Sequence, residues 1–406
     1  KSMLGSAASQ HALPETTLQN EAEGNESPGK GHCGPAANKT VPPAVKKTKV
    51  LFFIESLAGG GAEKVLSTIV NHIDKDKFDI TVSSVTAEGV YVGQVSRAVK
   101  FRPMIRRRKG LYYRSLYNLI YYVLPMRWVY SLFVPKGNDV EVAFCEGFAT
   151  RLIARSPAKR KIAWGHTDLV DNPWTQGTVY PSVEAERKAY SEFPETICVS
   201  DTVKRSFELK FGLHGKTLYN PIDSDMITAL AKEEAELPAR TRIRFVTAGR
   251  LVPQKGYDRL LKVVKILRDK GYDFELWILG DGVGREELER YINEEDLGDR
   301  VTIWGFMQNP YPYIYSGDVF VCSSRCEGYS TAATEALILG LPVITTLCSG
   351  MEELLGGTGC GYIVENTDEA LVEPLEKVLC DGDALAGLKA GAAERGRDFR
   401  IETLIK

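Results

Sequence analysis

Short apolar runs of strand length alternate with segments of helix length along most of the chain, and this alternation limits the possible folds more than any other feature. Strands that alternate with helices form parallel sheets, because each helix carries the chain back to the start of the next strand. The pattern occurs twice, with a break near residues 219–223. We therefore predict an α/β protein with two Rossmann-like, doubly wound parallel sheets that face each other across a cleft. The predicted strands are 47–55, 79–84, 140–145, 161–164 and 196–199, followed by strands that begin near residues 243, 274, 300, 318, 342 and 361.

The same pattern predicts the domain boundaries. Residues 1–45 are rich in Gly, Ala, Ser, Pro, Glu and Asn and contain no Phe, Trp or Tyr. Such a segment cannot bury enough apolar surface to offset the entropy of ordering, so we predict a disordered tail. Residues 46–220 are predicted to form the first domain, 221–241 a linker and 242–406 the second domain.

Composition narrows the class of protein. The chain has 406 residues, of which 44% are hydrophobic, and this is enough to form the cores of two domains. Its formal net charge of −2 argues against a general nucleic-acid binder. The eight cysteines contain no C-x-x-C pair, so they are interpreted as reduced thiols of a cytoplasmic protein and no metal site is expected.

Two glutamates eight positions apart are the most informative candidates for a site. Glu327 is predicted to lie in the turn after an apolar strand, and Glu335 about two turns inside the helix that follows. A rise of about 1.5 Å per residue separates the carboxylates by about 12 Å, with the helix N-terminus between them. Unpaired amides at that N-terminus bind phosphate, so the layout fits a nucleotide sugar. Taken alone, two glutamates would be interpreted as solvated helix charges, and the features described next change that interpretation.

Two basic residues follow the strand that begins near residue 243. Arg250 and Lys255 lie in a loop at the C-terminal end of that strand, which is where open α/β sheets bind ligands. There they could neutralise a leaving pyrophosphate, although a surface loop that happens to carry two bases is the simpler alternative. The next strand ends in Gly280-Asp281-Gly282, which fits a tight turn but does not complete a dinucleotide fingerprint.

Together these motifs resemble the retaining glycosyltransferases of family 4, also called glycosyl transferases group 1, which have the GT-B fold. The resemblance extends from about residue 46 to the C-terminus. It implies that Glu327 contacts the donor sugar, that Glu335 binds the ribose, and that Arg250 and Lys255 hold the diphosphate. The other donor-site residues that it implies are Gly328, Tyr329, Ser330 and Thr331 for the phosphates and Phe306 and Met307 for the base.

Two features of the first domain are candidates for the other wall of the cleft. Gly60 and Gly61 follow the first strand, and in the resembling family the equivalent loop faces the cleft. His166 directly follows the strand-like run 161–165 and matches a family position, so it could orient the acceptor or the donor sugar. A hydrogen-bonded structural histidine is the equal alternative.

The segment 89–138 has an unusual composition, because its fifty residues contain ten Lys or Arg and no Asp or Glu. It includes Arg106-Arg107-Arg108-Lys109 and the aromatic-rich stretch 111–134. Basic charge beside aromatic side chains suits contact with anionic lipid, whereas Pro125 and Arg127 argue against a transmembrane span. A soluble pair of helices with solvated bases is the alternative interpretation.

The sequence therefore predicts a retaining glycosyltransferase, in the EC 2.4 hexosyltransferase class, that uses a UDP- or GDP-sugar without a cofactor or metal. The expected acceptor is a hydroxyl of a lipid-linked or cell-surface polysaccharide or glycolipid. The expected location is the cytoplasm, with peripheral contact at the inner face of the plasma membrane. A non-catalytic nucleotide-sugar-binding protein and a nucleotide-sugar epimerase of the same build are the alternatives.

Overall fold

The computed structural model describes residues 46–106 and 111–399, so the predicted tail 1–45 lies outside the described residues. The strands are β1 (Thr48–Ile54), β2 (Phe78–Thr86), β3 (Lys100–Ile105), β4 (Val140–Ala143), β5 (Arg160–Gly165), β6 (Glu195–Cys198), β7 (Lys216–Thr217), β8 (Ile243–Ala248), β9 (Phe274–Leu279), β10 (Val301–Gly305), β11 (Val319–Cys322), β12 (Val343–Thr346) and β13 (Gly361–Val364). The α-helices are α1 (Gly61–His72), α2 (Leu111–Asn118), α3 (Met126–Phe133), α4 (Phe148–Ile153), α5 (Val183–Tyr190), α6 (Asp201–Phe211), α7 (Ser224–Leu230), α8 (Tyr257–Asp269), α9 (Arg285–Glu294), α10 (Tyr311–Tyr315), α11 (Thr331–Ile338), α12 (Met351–Leu355), α13 (Val372–Cys380) and α14 (Gly382–Arg395).

The strands form two parallel sheets, as predicted. The first has seven strands in the order β3-β2-β1-β4-β5-β6-β7, and the second has six in the order β10-β9-β8-β11-β12-β13. In each sheet the strand order reverses once, between β1 and β4 and between β8 and β11. A crevice opens outside the carboxyl ends of the strands at such a reversal, and ligands of α/β proteins bind there.

The central strands are buried on both faces because helices cover both sides of each sheet. In β1, for example, Leu51, Phe52 and Phe53 are apolar at successive positions and are at most 4% exposed. Runs of this kind carry the strand signal in the sequence, and for this reason the strands of the second sheet begin within one residue of their predicted starts.

Two strands were not predicted. β3 is the outermost strand of the first sheet and pairs with β2 alone. An edge strand tolerates a charged residue and a proline, and here Arg102 and Pro103 interrupt the apolar pattern that would have predicted the strand. β7 has two residues and is too short to give a pattern.

The aromatic-rich stretch forms two short helices, α2 and α3, separated by a π-helical turn at Leu119–Val123. Pro125 is the N-cap of α3, where its missing N–H costs no intrahelical hydrogen bond. Met126, Val129 and Tyr130 pack inward from α3, while Trp128 and Leu132 are 63% and 71% exposed. Among the described residues, no helix combines the length and the apolar character needed to cross a bilayer.

Candidate active site

Four loops of the second sheet meet at one edge of that sheet, because each follows the C-terminal end of a parallel strand. The loop after β8 is tied to β9 by the Gly249 N–H, which donates to the carbonyl of Leu279 at 2.9 Å. The loop after β9 is tied to β10 by the Gly280 N–H, which donates to the carbonyl of Gly305 at 2.8 Å. The loops after β8 and β11 border the point of strand reversal, where the sequence placed its candidate residues.

Lys255 and Glu327 form a buried ion pair at this edge. Lys255 Nζ lies 2.5 Å from Glu327 Oε1, and the hydroxyl of Ser324 donates to the same oxygen at 2.5 Å. Glu327 is 7% exposed. Burial lowers the pKa of Lys255, but the adjacent carboxylate outweighs burial, so the pKa lies above its usual range. Lys255 therefore stays charged at neutral pH, and its contact with Glu327 holds both side chains in place.

Arg250 is exposed and makes no side-chain hydrogen bond to another described residue. It faces Glu63 of α1 in the first half of the chain. Burial raises the pKa of Glu63, and the positive charge of Arg250 partly offsets this effect. Arg250 thus lies on the cleft and is not part of the Lys255–Glu327 pair.

The helix after Glu327 begins later than predicted. Ser330 is the N-cap of α11 and its hydroxyl accepts from the Ala333 N–H at 3.4 Å. Because the helix starts at Thr331, Glu335 lies one turn inside it, and the prediction of two turns was wrong. The amides of Thr331 and Ala332, which precede the capped amide of Ala333, have no acceptor within the helix, so the predicted anion site would lie between Glu327 and Glu335.

Glu335 is not free, because Lys64 of α1 crosses the cleft and binds it at 2.5 Å. The glycine loop before α1 also approaches α11. A Cβ atom at Gly61 would lie 2.9 Å from Thr331 Oγ1, so a larger residue would push the two helices apart. Gly60 is the N-cap of α1. The predicted glycine loop therefore faces the predicted phosphate site.

His166 follows β5 and lies against the turn that carries Glu327. A side chain at Gly328 would overlap the carbonyl oxygen of His166, which explains glycine at that position. The ring packs against Phe144, and Nε2 is buried with no hydrogen-bond partner among the described residues. Burial lowers the pKa of His166 to about 3, so the imidazole is neutral at physiological pH. An unpaired, neutral ring nitrogen of this kind can bind a hydroxyl group.

The remaining predicted residues lie around the same edge. Phe306 and Met307 directly follow β10, and Phe306 is 55% exposed whereas Met307 packs against the core. Tyr329 is buried against the ring of Tyr219, with 5.3 Å between the ring centroids.

Sequence reasoning did not single out Glu353, on α12, which crosses the cleft to the N-terminus of α6. Its carboxylate accepts from the Asp201 and Thr202 N–H groups at 2.8 Å each. It also accepts from the Thr202 hydroxyl at 2.6 Å and from the Tyr219 hydroxyl at 3.0 Å. One half of the molecule thereby caps a helix of the other half.

Asp168 forms a second link across the cleft. One carboxylate oxygen accepts from the hydroxyls of Ser206 and Ser349 at 2.6 Å each, and Ser349 belongs to the second half of the chain. Nothing local in the sequence marks either link, because each depends on residues more than 100 positions apart.

Glu146 is buried behind His166 and was also missed. Its carboxylate accepts from the backbone N–H groups of His166 and Thr167, the latter at 2.6 Å. Burial raises the pKa of Glu146 to about 7, although these hydrogen bonds oppose the shift. Glu146 thus holds the backbone that presents His166.

The raised pKa of Glu146 predicts a pH-dependent contribution to stability. The folded protein holds this proton more tightly than an unfolded chain with a pKa of 4.5, so the stabilising effect is complete below pH 4.5 and is lost as the pH rises to about 7. Glu146→Gln removes the titration. The wild type and the variant are compared by urea denaturation at each pH. The free energy of unfolding of the wild type minus that of the variant should decrease by about 3 kcal/mol between pH 4.5 and about 7.

The exposed Glu192→Gln variant is the matched control and should give a difference from wild type that changes little with pH. A flat difference for Glu146→Gln as well would show that Glu146 titrates normally.

A family model described as Glycosyl transferases group 1 matches residues 231–395, which include β8 to β13. An uncharacterized glycosyltransferase of Methanocaldococcus jannaschii is 30% identical over 225 residues, which cover 47% of this chain and 55% of that protein. The Campylobacter jejuni N-acetylgalactosamine-N,N'-diacetylbacillosaminyl-diphospho-undecaprenol 4-alpha-N-acetylgalactosaminyltransferase is 32% identical over 184 residues, 45% of this chain and 49% of that protein. The chain thus spans about half the length of these curated relatives.

Solved structures establish the fold over a larger part of the chain. The Anabaena protein HepE, crystallised with UDP and glucose, superposes with a TM-score of 0.66 and 18% identity, covering 88% of this chain and 97% of that one. A variant of TarM from S. aureus, in a complex that includes UDP, gives a TM-score of 0.68 at 12% identity and covers 88% and 98%. The two parallel sheets are those of the GT-B fold, as predicted.

Proposed function

We propose that this protein is a retaining glycosyltransferase of family 4 that transfers a sugar from a nucleoside-diphosphate sugar to a hydroxyl acceptor. The observation that carries the proposal is the Lys255–Glu327 pair, which lies beside the N-terminus of α11 at the reversal of the second sheet. Cation, carboxylate and free amides together match a ligand that has both hydroxyl groups and a diphosphate. The group 1 match over the same residues and the names of the relatives support this assignment.

In the proposed reaction, the bond between the sugar and the diphosphate breaks in a loose transition state, and negative charge builds on the leaving phosphate. Arg250, Lys255 and the amides near Ser330 would stabilise that charge, which is often the largest contribution to catalysis. Glu327 would bind hydroxyls of the donor sugar. His166 would offer its unpaired Nε2 to a sugar hydroxyl. By analogy with the family, the acceptor attacks the face from which the diphosphate leaves, and the leaving phosphate takes the acceptor's proton.

The donor is tested by measuring nucleoside-diphosphate release from a panel of UDP-, GDP- and ADP-sugars, with membrane extract as the source of acceptor. Release from one donor that depends on the extract supports a transferase. Binding of a donor without release would instead indicate the non-catalytic binding protein, and recovery of an isomerised donor would indicate the epimerase.

Metal independence is a separate expectation. Arg250, Lys255 and the α11 N-terminus would supply the positive charge that a divalent cation provides in other transferases. Release from the accepted donor should therefore be unchanged by EDTA, and a loss restored by Mg²⁺ or Mn²⁺ would contradict the expectation.

We further propose that the acceptor is lipid-linked or a cell-surface glycan and that the protein contacts the cytoplasmic face of the membrane through the aromatic-rich stretch 111–134. Tyr122, Trp128 and Leu132 are 65%, 63% and 71% exposed, and the exposed Arg114 and Arg127 lie in the same stretch. Of the predicted basic cluster, Arg106 is exposed, while residues 107–109 lie outside the described residues. Apolar side chains next to bases are suited to an anionic bilayer, where each base contributes about 1 kcal/mol.

Replacing Tyr122, Trp128 and Leu132 together by serine should reduce binding to phosphatidylglycerol-containing vesicles at least tenfold. The three side chains are exposed, so the fold should be unaffected. Sedimentation with vesicles measures the effect, and Leu209→Ser, at an 80% exposed position on α6, is the control. Equal binding of the triple variant and the wild type would remove this surface from the proposal.

A further inference from the structure

Lys64 connects the two halves of the cleft at the predicted ribose site. It stands on α1, whereas its partners Glu335 and Tyr311 stand on α11 and α10. Besides the 2.5 Å ion pair with Glu335, its ammonium group donates to the Tyr311 hydroxyl and lies 4.8 Å from the centroid of that ring. The side chains of Lys64 and Glu335 are 20% and 7% exposed. Lys64 thus neutralises a carboxylate that would otherwise be buried and unpaired, which is a costly arrangement.

The space beside this pair is too small for a nucleoside. The space lined by Lys64, Thr331 and Glu335 measures about 10 Å³, enough for about one water molecule, and it is bounded on one side by residues 221–227. Pockets for small ligands usually measure about 300–1,000 Å³. A ribose can therefore reach Glu335 only if the Lys64 ammonium group leaves it, either by rotation of the lysine side chain or by separation of α1 and α11.

The displaced ammonium group would have an anion nearby. The N-terminus of α11 at Thr331 is four residues from Glu335, which corresponds to about 6 Å along the helix. In a nucleotide the ribose ring is joined to its first phosphate by one methylene group and one ester oxygen. A flexible lysine that leaves a ribose-bound Glu335 is therefore within reach of the diphosphate on the same helix.

We propose that Lys64 is a donor-binding residue supplied by the first half of the chain, which neutralises Glu335 in the empty cleft and binds the donor's diphosphate once the ribose occupies Glu335. The inference rests on the proposed function, because it takes the ligand to be a nucleoside diphosphate. It adds a third cation to Arg250 and Lys255 and makes donor binding depend on both halves of the molecule.

The test compares a nucleoside with its diphosphate by calorimetry, using uridine and UDP, or the guanine or adenine pair if UDP does not bind. Lys64→Gln keeps a hydrogen bond to Glu335 but removes the charge. The diphosphate should bind at least tenfold more weakly to this variant than to the wild type, because it loses a charge-assisted contact. The nucleoside should bind equally or more tightly, because no ion pair must be broken. The dissociation constant of the nucleoside divided by that of the diphosphate should therefore fall at least tenfold.

Lys64→Arg should restore the wild-type ratio, and Lys188→Gln, at an exposed site on α5, should not change it. If Lys64→Gln weakens the binding of nucleoside and diphosphate by the same factor, Lys64 has a structural role. The inference is then wrong, whereas the proposed function is unaffected. If the wild type binds none of UDP, GDP and ADP, both the inference and the proposed function are contradicted. Should the variant not fold, a crystal structure of the wild type with the diphosphate decides: Lys64 on a phosphate oxygen supports the inference, and Lys64 still on Glu335 overturns it.

Discussion

Lys255→Met is expected to lower the rate of nucleoside-diphosphate release by about 10²–10³-fold. The ammonium group is fixed 2.5 Å from Glu327 and next to the first turn of α11, so it is oriented before the donor arrives. A preoriented charge stabilises the leaving phosphate without reorganisation during the reaction. The loss should appear in kcat, measured at a saturating concentration of the donor that the panel identifies.

Loss of the fold is the confounding outcome, because removing one partner of a buried ion pair costs about 3–5 kcal/mol. The double variant Lys255→Met with Glu327→Gln leaves no unpaired charge and should fold, as judged by its thermal transition, while remaining inactive. Its rate should not be much lower than that of either single variant, since the two groups act as a unit. Lys262→Met, at a 51% exposed lysine on α8, is the control. A Lys255→Met enzyme that keeps a tenth of the wild-type rate would contradict the assigned role.

Glu353→Ala is expected to have the largest effect outside the proposed donor site. It removes four hydrogen bonds and leaves the first amides of α6 without their acceptor. Hydrogen bonds to a charged group contribute about 1.5–3 kcal/mol each, and water will replace part of them, so the free energy of unfolding should fall by about 3 kcal/mol. Because the lost contacts join the two halves, kcat/KM for the donor should fall as well.

The neighbouring Glu352→Ala is the matched control, since Glu352 is exposed on the same helix. Urea denaturation and initial rates measure both variants. If Glu353→Ala and Glu352→Ala behaved alike, the capping of α6 from across the cleft would have no energetic significance.

The fold was largely predictable because its central strands are buried on both faces. A strand such as β11 has the apolar residues Val319, Phe320, Val321 and Cys322 in succession, and no solvent-facing side chain interrupts the signal. The edge strand β3 lacks that constraint and was missed. The start of α11 was misplaced because the turn that contains Glu327 is longer than the predicted one, so that Ser330 rather than an earlier residue caps the helix.

The candidate site was predictable where its residues follow single strands. Arg250, Lys255 and Glu327 each follow a recognisable strand, so the parallel topology alone brings them to one edge. Lys64, Glu146 and Glu353 act on distant parts of the chain, and their partners are known only once the sheets are placed. For Lys64, the position just after the glycine loop of α1 was the available signal.

The helix cap that Glu353 supplies to α6 has a consequence for protein engineering. A chimera of two proteins with this fold would exchange the first half of one chain for that of another. Here a foreign first half would need backbone amides and a hydroxyl at the positions of Asp201 and Thr202 to meet Glu353. Compatibility between the two halves of such a chimera should therefore be judged first at residue pair 202 and 353.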